Sequence, residues 1–94
     1  MAAKTTYTTS AVRVNGEAPT TFTRKSARLY THAVLVRAER KGEVIIYVAQ
    51  WCSRIDLAIT AERATRNRLN AYYAAQPEEG TLLACWWQPI REEA

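Results

Sequence analysis

The chain has 94 residues, of which 48% are hydrophobic and 23% charged, and its formal net charge is +4. This length and mix fit one globular domain over residues 1–94; they exclude a disordered chain and leave no room for separate catalytic and substrate lobes. The modest positive charge biases partners toward anions without identifying one. Basic residues concentrate in the first three quarters, and the acidic end is carried by Glu78, Glu79, Glu92 and Glu93.

No apolar block follows Lys4, so the opening stretch does not read as a secretory signal. The apolar runs Val44–Ala49 and Leu82–Trp87 are far shorter than the roughly 18–20 residues of a membrane helix. A cytoplasmic protein without a membrane partner is the expectation. The two cysteines, Cys52 and Cys85, are too few for a stapled secreted scaffold and read as reduced, packed thiols.

Thr5–Val14 is rich in threonine with Tyr7, Val12 and Val14, which is strand chemistry. Asn15-Gly16 then signals a hairpin, with a return strand over Thr20–Lys25 and Pro19 at its edge. Ser26-Ala27-Arg28 marks a bend. Tyr30–Glu39 and Glu43–Trp51 form a second hairpin around Arg40-Lys41-Gly42. A two-residue loop would set Val36 opposite Tyr47. A three-residue loop aligns Val34 with Val48, Val36 with Ile46 and Ala38 with Val44 on one aliphatic face. Burying each such side chain is worth about 1.5–3 kcal/mol, so the three-residue register is expected.

Ser53 and Asp56 have the spacing of a helix start, and Arg54–Gln76 runs without Gly or Pro until Pro77. Ile55, Ala58, Ile59, Ala61, Thr65, Leu69, Tyr72 and Tyr73 form its apolar stripe; Arg63, Asn67 and Asn70 lie opposite. Thr81–Gln88 is a last strand, closed by Pro89, with Leu82, Ala84 and Trp86 on one side and Leu83, Cys85 and Trp87 on the other. Arg91–Ala94 reads as a mobile tail. The expected fold is α+β in the order β-β-β-β-α-β: an antiparallel sheet of about four to five strands, the helix packed on the Val34, Val36, Val44, Ile46 and Val48 face.

The chemistry is sparse. His32, Cys52 and Cys85 lack CxxC or HxxxH spacing, so no metal site is expected. No glycine-rich phosphate loop is present, and Asp56 and Glu62 are six apart on one helix rather than neighbours. No cofactor and no enzymatic activity are expected. Three tryptophans and five tyrosines are many for a core already filled with aliphatics, and such rings favour interfaces. Leu35, Tyr47, Trp51, Trp86 and Trp87 are therefore the candidate interface residues of a protein-interaction module that binds another protein or itself as a homo-oligomer, through aromatic residues on the second sheet face or an exposed edge strand. The alternative is nucleic-acid binding through Arg24, Lys25, Arg28, Tyr30, Arg37, Arg40 and Lys41, a basic strand and turn surface with one ring available for stacking.

The stretch Phe22–Val34, with its R-x-Y-T-H-A-V string at Arg28–Val34, resembles small orphan proteins of actinobacterial phages. The resemblance covers about the middle half of the chain and brings no activity with it. It implies a compact accessory protein in a bacterial host cytoplasm, binding a host or phage macromolecule.

Overall fold

The computed structural model describes residues 4–93. In chain order they form β1 (Thr5–Ala11), β2 (Thr20–Ser26), β3 (His32–Arg40), β4 (Glu43–Cys52), helix α1 (Ile55–Ala75), a 3₁₀ turn (Pro77–Glu79), β5 (Thr81–Pro89) and β6 (Arg91–Glu93). The fold is α+β with one long helix among the described residues, as expected. The strands, however, make two three-stranded antiparallel sheets, β4-β3-β5 and β2-β1-β6, rather than one sheet. The division falls just past Pro89. Ile90 then donates to the Thr31 carbonyl at 3.1 Å, and the chain continues as β6 beside β1. Residues 91–93, expected to be a tail, are thus a strand; residue 94 lies outside the described residues.

The core is organised around β3. Ala33, Val34, Leu35, Val36 and Ala38 are fully buried. Val34, Val36 and Ala38 face α1 together with Cys52, Ala58 and Cys85, and Ile45, Tyr47, Ala49, Leu69, Tyr73 and Trp87 pack around them. The opposite face is closed by β1: Tyr7 and Thr9 are buried, Tyr7 donates its hydroxyl to the Arg28 carbonyl, and Gln88 Nε2 donates to Thr9 Oγ1 and to the Ser10 carbonyl.

The β3–β4 turn corrects the expected register. Arg40 pairs with Glu43 and Val36 with Tyr47 across a two-residue turn in which Lys41 (φ 52°) and Gly42 (φ 85°) both have positive φ. That is the type I′ pattern, whose twist matches the flanking strands. Gly42 N–H is further held by Glu39 Oε1 at 2.9 Å. Placing a lysine in the left-handed region costs about 1–2 kcal/mol, which the turn's fit to the strand twist must offset. The aliphatic-face argument could not choose the register, because β4 is apolar on both faces. In the observed register Ile45 and Tyr47 face the helix, whereas Val44, Ile46 and Val48 face the other way, so the helix packs on the expected Val34 and Val36 of β3 but on the opposite face of β4. An extra residue at Ala49 shifts the ladder, leaving Val34 opposite Gln50 and His32 opposite Cys52.

A second bulge, at Leu83, corrects the sides of β5: Leu82 joins Cys85 and Trp87 toward the helix, and Ala84 and Trp86 turn away. The helix begins one residue later than expected, with Arg54 at its N-cap and no side-chain cap; Ser53 does not perform that role. Asp56 pairs with Arg54 at 3.2 Å. The buried stripe is narrower than expected. Ala58 and Thr65 are buried, whereas Ile55, Ile59 and Tyr72 are exposed. Finally, β1 ends at Ala11, and Asn15-Gly16 sits in a Val14–Glu17 turn, closed by Glu17 N–H to Val14 O at 3.1 Å, inside a longer loop. Gly16 has positive φ there but Asn15 does not, so this is no hairpin turn of the primed kind.

Gly80 (φ 147°) lies against the β3 backbone: a Cβ there would overlap the Glu39 carbonyl oxygen and stand 3.1 Å from Arg40 Cα. Gly80→Ala is expected to lower the unfolding free energy by about 2–3 kcal/mol in urea denaturation. Gly16→Ala, where the space is open, is expected to cost about 1 kcal/mol.

Candidate functional site

Among the described residues, Cys52, Cys85 and His32 are the side chains of thiol or imidazole chemistry, and each is buried or engaged within the fold. Cys52 and Cys85 are buried free thiols. Desolvation pushes both thiols above their ordinary pKa; at Cys85 the Glu62 carboxylate adds to the rise and Arg66 opposes it. Cys85 Sγ is 3.6 Å from the Glu62 carbonyl, to which it donates. His32 stands opposite Cys52 in the ladder, but its Nδ1 is engaged by Thr31 Oγ1 at 2.8 Å and its ring meets Trp87 edge-on at 5.6 Å. Among the described residues no three His, Cys, Asp or Glu side chains gather as a metal site. Likewise, no described helix is long and apolar enough to cross a membrane.

Most of the candidate interface rings pack within the chain. Leu35 is fully buried between the sheets. Tyr47 and Trp87 pack against the helix-side core. Burial raises the Tyr47 hydroxyl pKa, reinforced by Tyr73 and offset in part by Arg68. Trp86 lies on the opposite face, donating to Gln88 Oε1 at 2.8 Å and carrying the Arg37 guanidinium 5.1 Å above its ring. Adjacent Trp86 and Trp87 thus point to opposite sides, as strand alternation demands. Trp51 is half-buried in contact with Tyr30, which also meets Tyr7 edge-on at 5.5 Å.

The basic candidates separate into three places. Arg24 lies 5.3 Å over the Tyr30 ring, Lys25 follows it on β2, and Arg28 lines a cleft together with Tyr30. That cleft, about 480 Å³, is lined by Leu29, Tyr30, Trp51 and Leu57 among others. Arg40 and Lys41 are at the far end of β3, where Arg40 reaches Glu79 at 3.6 Å. Arg37 is internal: it donates to the Val12 carbonyl at 2.6 Å, and its Nε is buried without a partner. Sequence reasoning missed Leu29, which is 65% exposed, and Leu57, 40% exposed. An apolar residue just after the Ser26-Ala27-Arg28 bend was the available signal for Leu29; Leu57 falls off the helix stripe.

The strand edges differ sharply in how they are guarded. Edges commonly carry charge, proline, bulges or a covering element to deter pairing. β2 carries Arg24 and Lys25 on the outer strand of its sheet, and β6 is three residues long. The helix packs more extensively on β5 than on β3 or β4, and Arg66, ion-paired with Glu62, donates to the Cys85 carbonyl. β4 pairs with β3 on one side and with no other described strand. Because Arg40 and Glu43 flank a two-residue turn, they form a hydrogen-bonded pair, and the peptide groups of Val44, Ile46 and Val48 point away from β3. Arg13 Nη1 reaches the Val44 carbonyl at 2.9 Å while its guanidinium pairs with Glu17. From Val44 to Ala49 the strand contains no charge, proline or glycine.

No family model, curated protein or solved structure matches this chain.

The raised thiol and phenol pKa values fix a pH dependence. Each group is neutral when protonated and holds its proton to higher pH folded than unfolded. The stability this contributes is complete below the unfolded thiol value of 9.0 and is lost as pH rises past it toward the folded values. The urea midpoint is expected to stay level from neutral pH to just below that value and then fall. Iodoacetamide is expected to leave both native thiols unmodified at neutral pH and to label them in urea, read by intact-mass spectrometry.

Proposed function

We propose that this chain is a non-enzymatic protein-binding module that receives an extended segment of its partner along the outer edge of β4. The observation that carries this reading is the row of outward peptide groups at Val44, Ile46 and Val48 on an uncharged apolar stretch. A strand added there gains ladder hydrogen bonds, with apolar side chains available on both faces. Its template is held in place by β3, whose buried side chains fix its position, so little ordering is needed on binding. The phage resemblance would place such a module in a bacterial host cytoplasm, as an accessory protein with a host or phage partner.

The test is a ¹⁵N NMR titration with an extended peptide alternating valine and threonine. Saturable shifts concentrated at Val44, Ile46 and Val48 are expected, and Val48→Lys, which introduces a charge into the apolar row, is expected to weaken them about tenfold or more. Shifts that spare β4 would overturn the reading.

A second reading, nucleic-acid binding, is favoured by one arrangement: Arg24 over Tyr30, with Trp51 and Arg28 in the same cleft. It requires affinity for a labelled single-stranded oligonucleotide that falls linearly with the logarithm of salt concentration and weakens on Arg24→Glu. Absence of binding at about 50 mM salt removes it.

A further inference from the structure

We infer that the strand received by β4 is β4 of a second copy of this chain, the two meeting antiparallel about a twofold axis at Ile46. The inference rests on the reading of β4 as a strand-docking edge and names its partner.

The strand is complementary to itself in one register. With Ile46 opposite Ile46 of the second copy, Val44 falls opposite Val48 and Ile45 opposite Tyr47. All three residues whose peptide groups point outward then sit in hydrogen-bonded pairs, making roughly six ladder bonds. A two-residue displacement toward the turn brings Glu43 opposite Tyr47 and Val48 opposite Gly42; displacement the other way brings Val44 opposite Gln50 and Ile45 opposite Ala49 at the bulge. Each loses an apolar pair. The central register has no charged residue among its five innermost pairs. Arg13 holds the Val44 carbonyl at one end of this ladder and must swing aside for the outermost bond to form.

The two faces of β4 support the same partner. Ile45 and Tyr47 lie toward α1 and Ile46 and Val48 toward the second sheet, yet all four remain half-exposed. A second β4 extends both layers and turns β4-β3-β5 into a continuous six-stranded sheet, which places those side chains between neighbours. Since each copy carries net positive charge, salt screens the repulsion between them and tightens the pair, the opposite of its effect on nucleic-acid binding.

Sedimentation equilibrium combined with hydrogen exchange tests this on the unaltered chain. A dimer is expected, with the Ile46 and Val48 amides protected in proportion to dimer formation and the Ile45 and Tyr47 amides protected at every concentration. Ile46→Lys, which sets two ammonium groups face to face at the axis, is expected to raise the dimer dissociation constant about 100-fold or more. The exchange measurement needs no variant, so a poorly folded lysine substitution does not affect it. A chain that stays monomeric at millimolar concentration overturns the inference, as does a dimer whose Ile46 and Val48 amides exchange freely. If the monomeric chain still shows peptide-induced shifts on β4, the docking edge stands and the self-pairing falls; if those shifts are also missing, both fall.

Discussion

The rest of the molecule depends on the double burial of β3. Its ladder is engaged on both edges, by β4 and β5, and its faces are closed by α1 and by the β2-β1-β6 sheet. A strand in that position reads as an unbroken apolar run, which is what Ala33–Val36 is. Arg37 interrupts it. The guanidinium survives there because Val12 accepts a hydrogen bond and the Trp86 face accepts the charge, though its Nε remains without a partner. That arginine ties the loop after β1 to the centre of the larger sheet, so the two sheets are joined by polar contacts as well as by apolar packing.

Much of this was legible from the residues, and the failures have physical causes. Helix length followed from the Gly- and Pro-free run before Pro77, and the central hairpin from its paired β-rich segments. Opposed directions for Trp86 and Trp87 followed from strand geometry. The hairpin register was not legible, because Val44–Val48 is apolar at every position and a one-residue slip exchanges one greasy face for the other. Turn chemistry decided instead, through positive φ at Lys41 as well as Gly42. The second sheet was missed because reading Pro89 as a terminus ignored that the chain can turn there and pair again. The helix stripe was drawn too wide: Ala58 and Ala61 let the backbone come close, leaving Ile55 and Ile59 on the flank.

The site was less legible than the fold. Counting rings suggested an aromatic contact surface, yet Tyr47, Trp86 and Trp87 go largely into closing the space on either side of the central sheet. What the count could not supply was which strand would lie outermost, a matter of sheet order rather than composition. Once β3 is central, β4 lies outermost, with no other described strand beside it, a position that the uncharged run Val44–Ala49 does not reveal by itself. The basic residues show the converse. Seven were grouped by type, but topology sends Arg37 inward and separates Arg24 and Arg28 from Arg40 and Lys41 by the length of a strand.

The path of the chain through the Pro89 corner also sets the pace of its assembly. The β3–β4 hairpin is local and can zip quickly, but β5 reaches β3 only after the helix intervenes, and β6 meets β1 across most of the sequence. Distant pairings of this kind must overcome loop-closure entropy before any contact rewards them, which places such folds toward the slow end for small proteins. During that interval the early hairpin presents both sides of its ladder to solvent. The search for the native arrangement is therefore also a period in which mispairing between nascent molecules competes with completion.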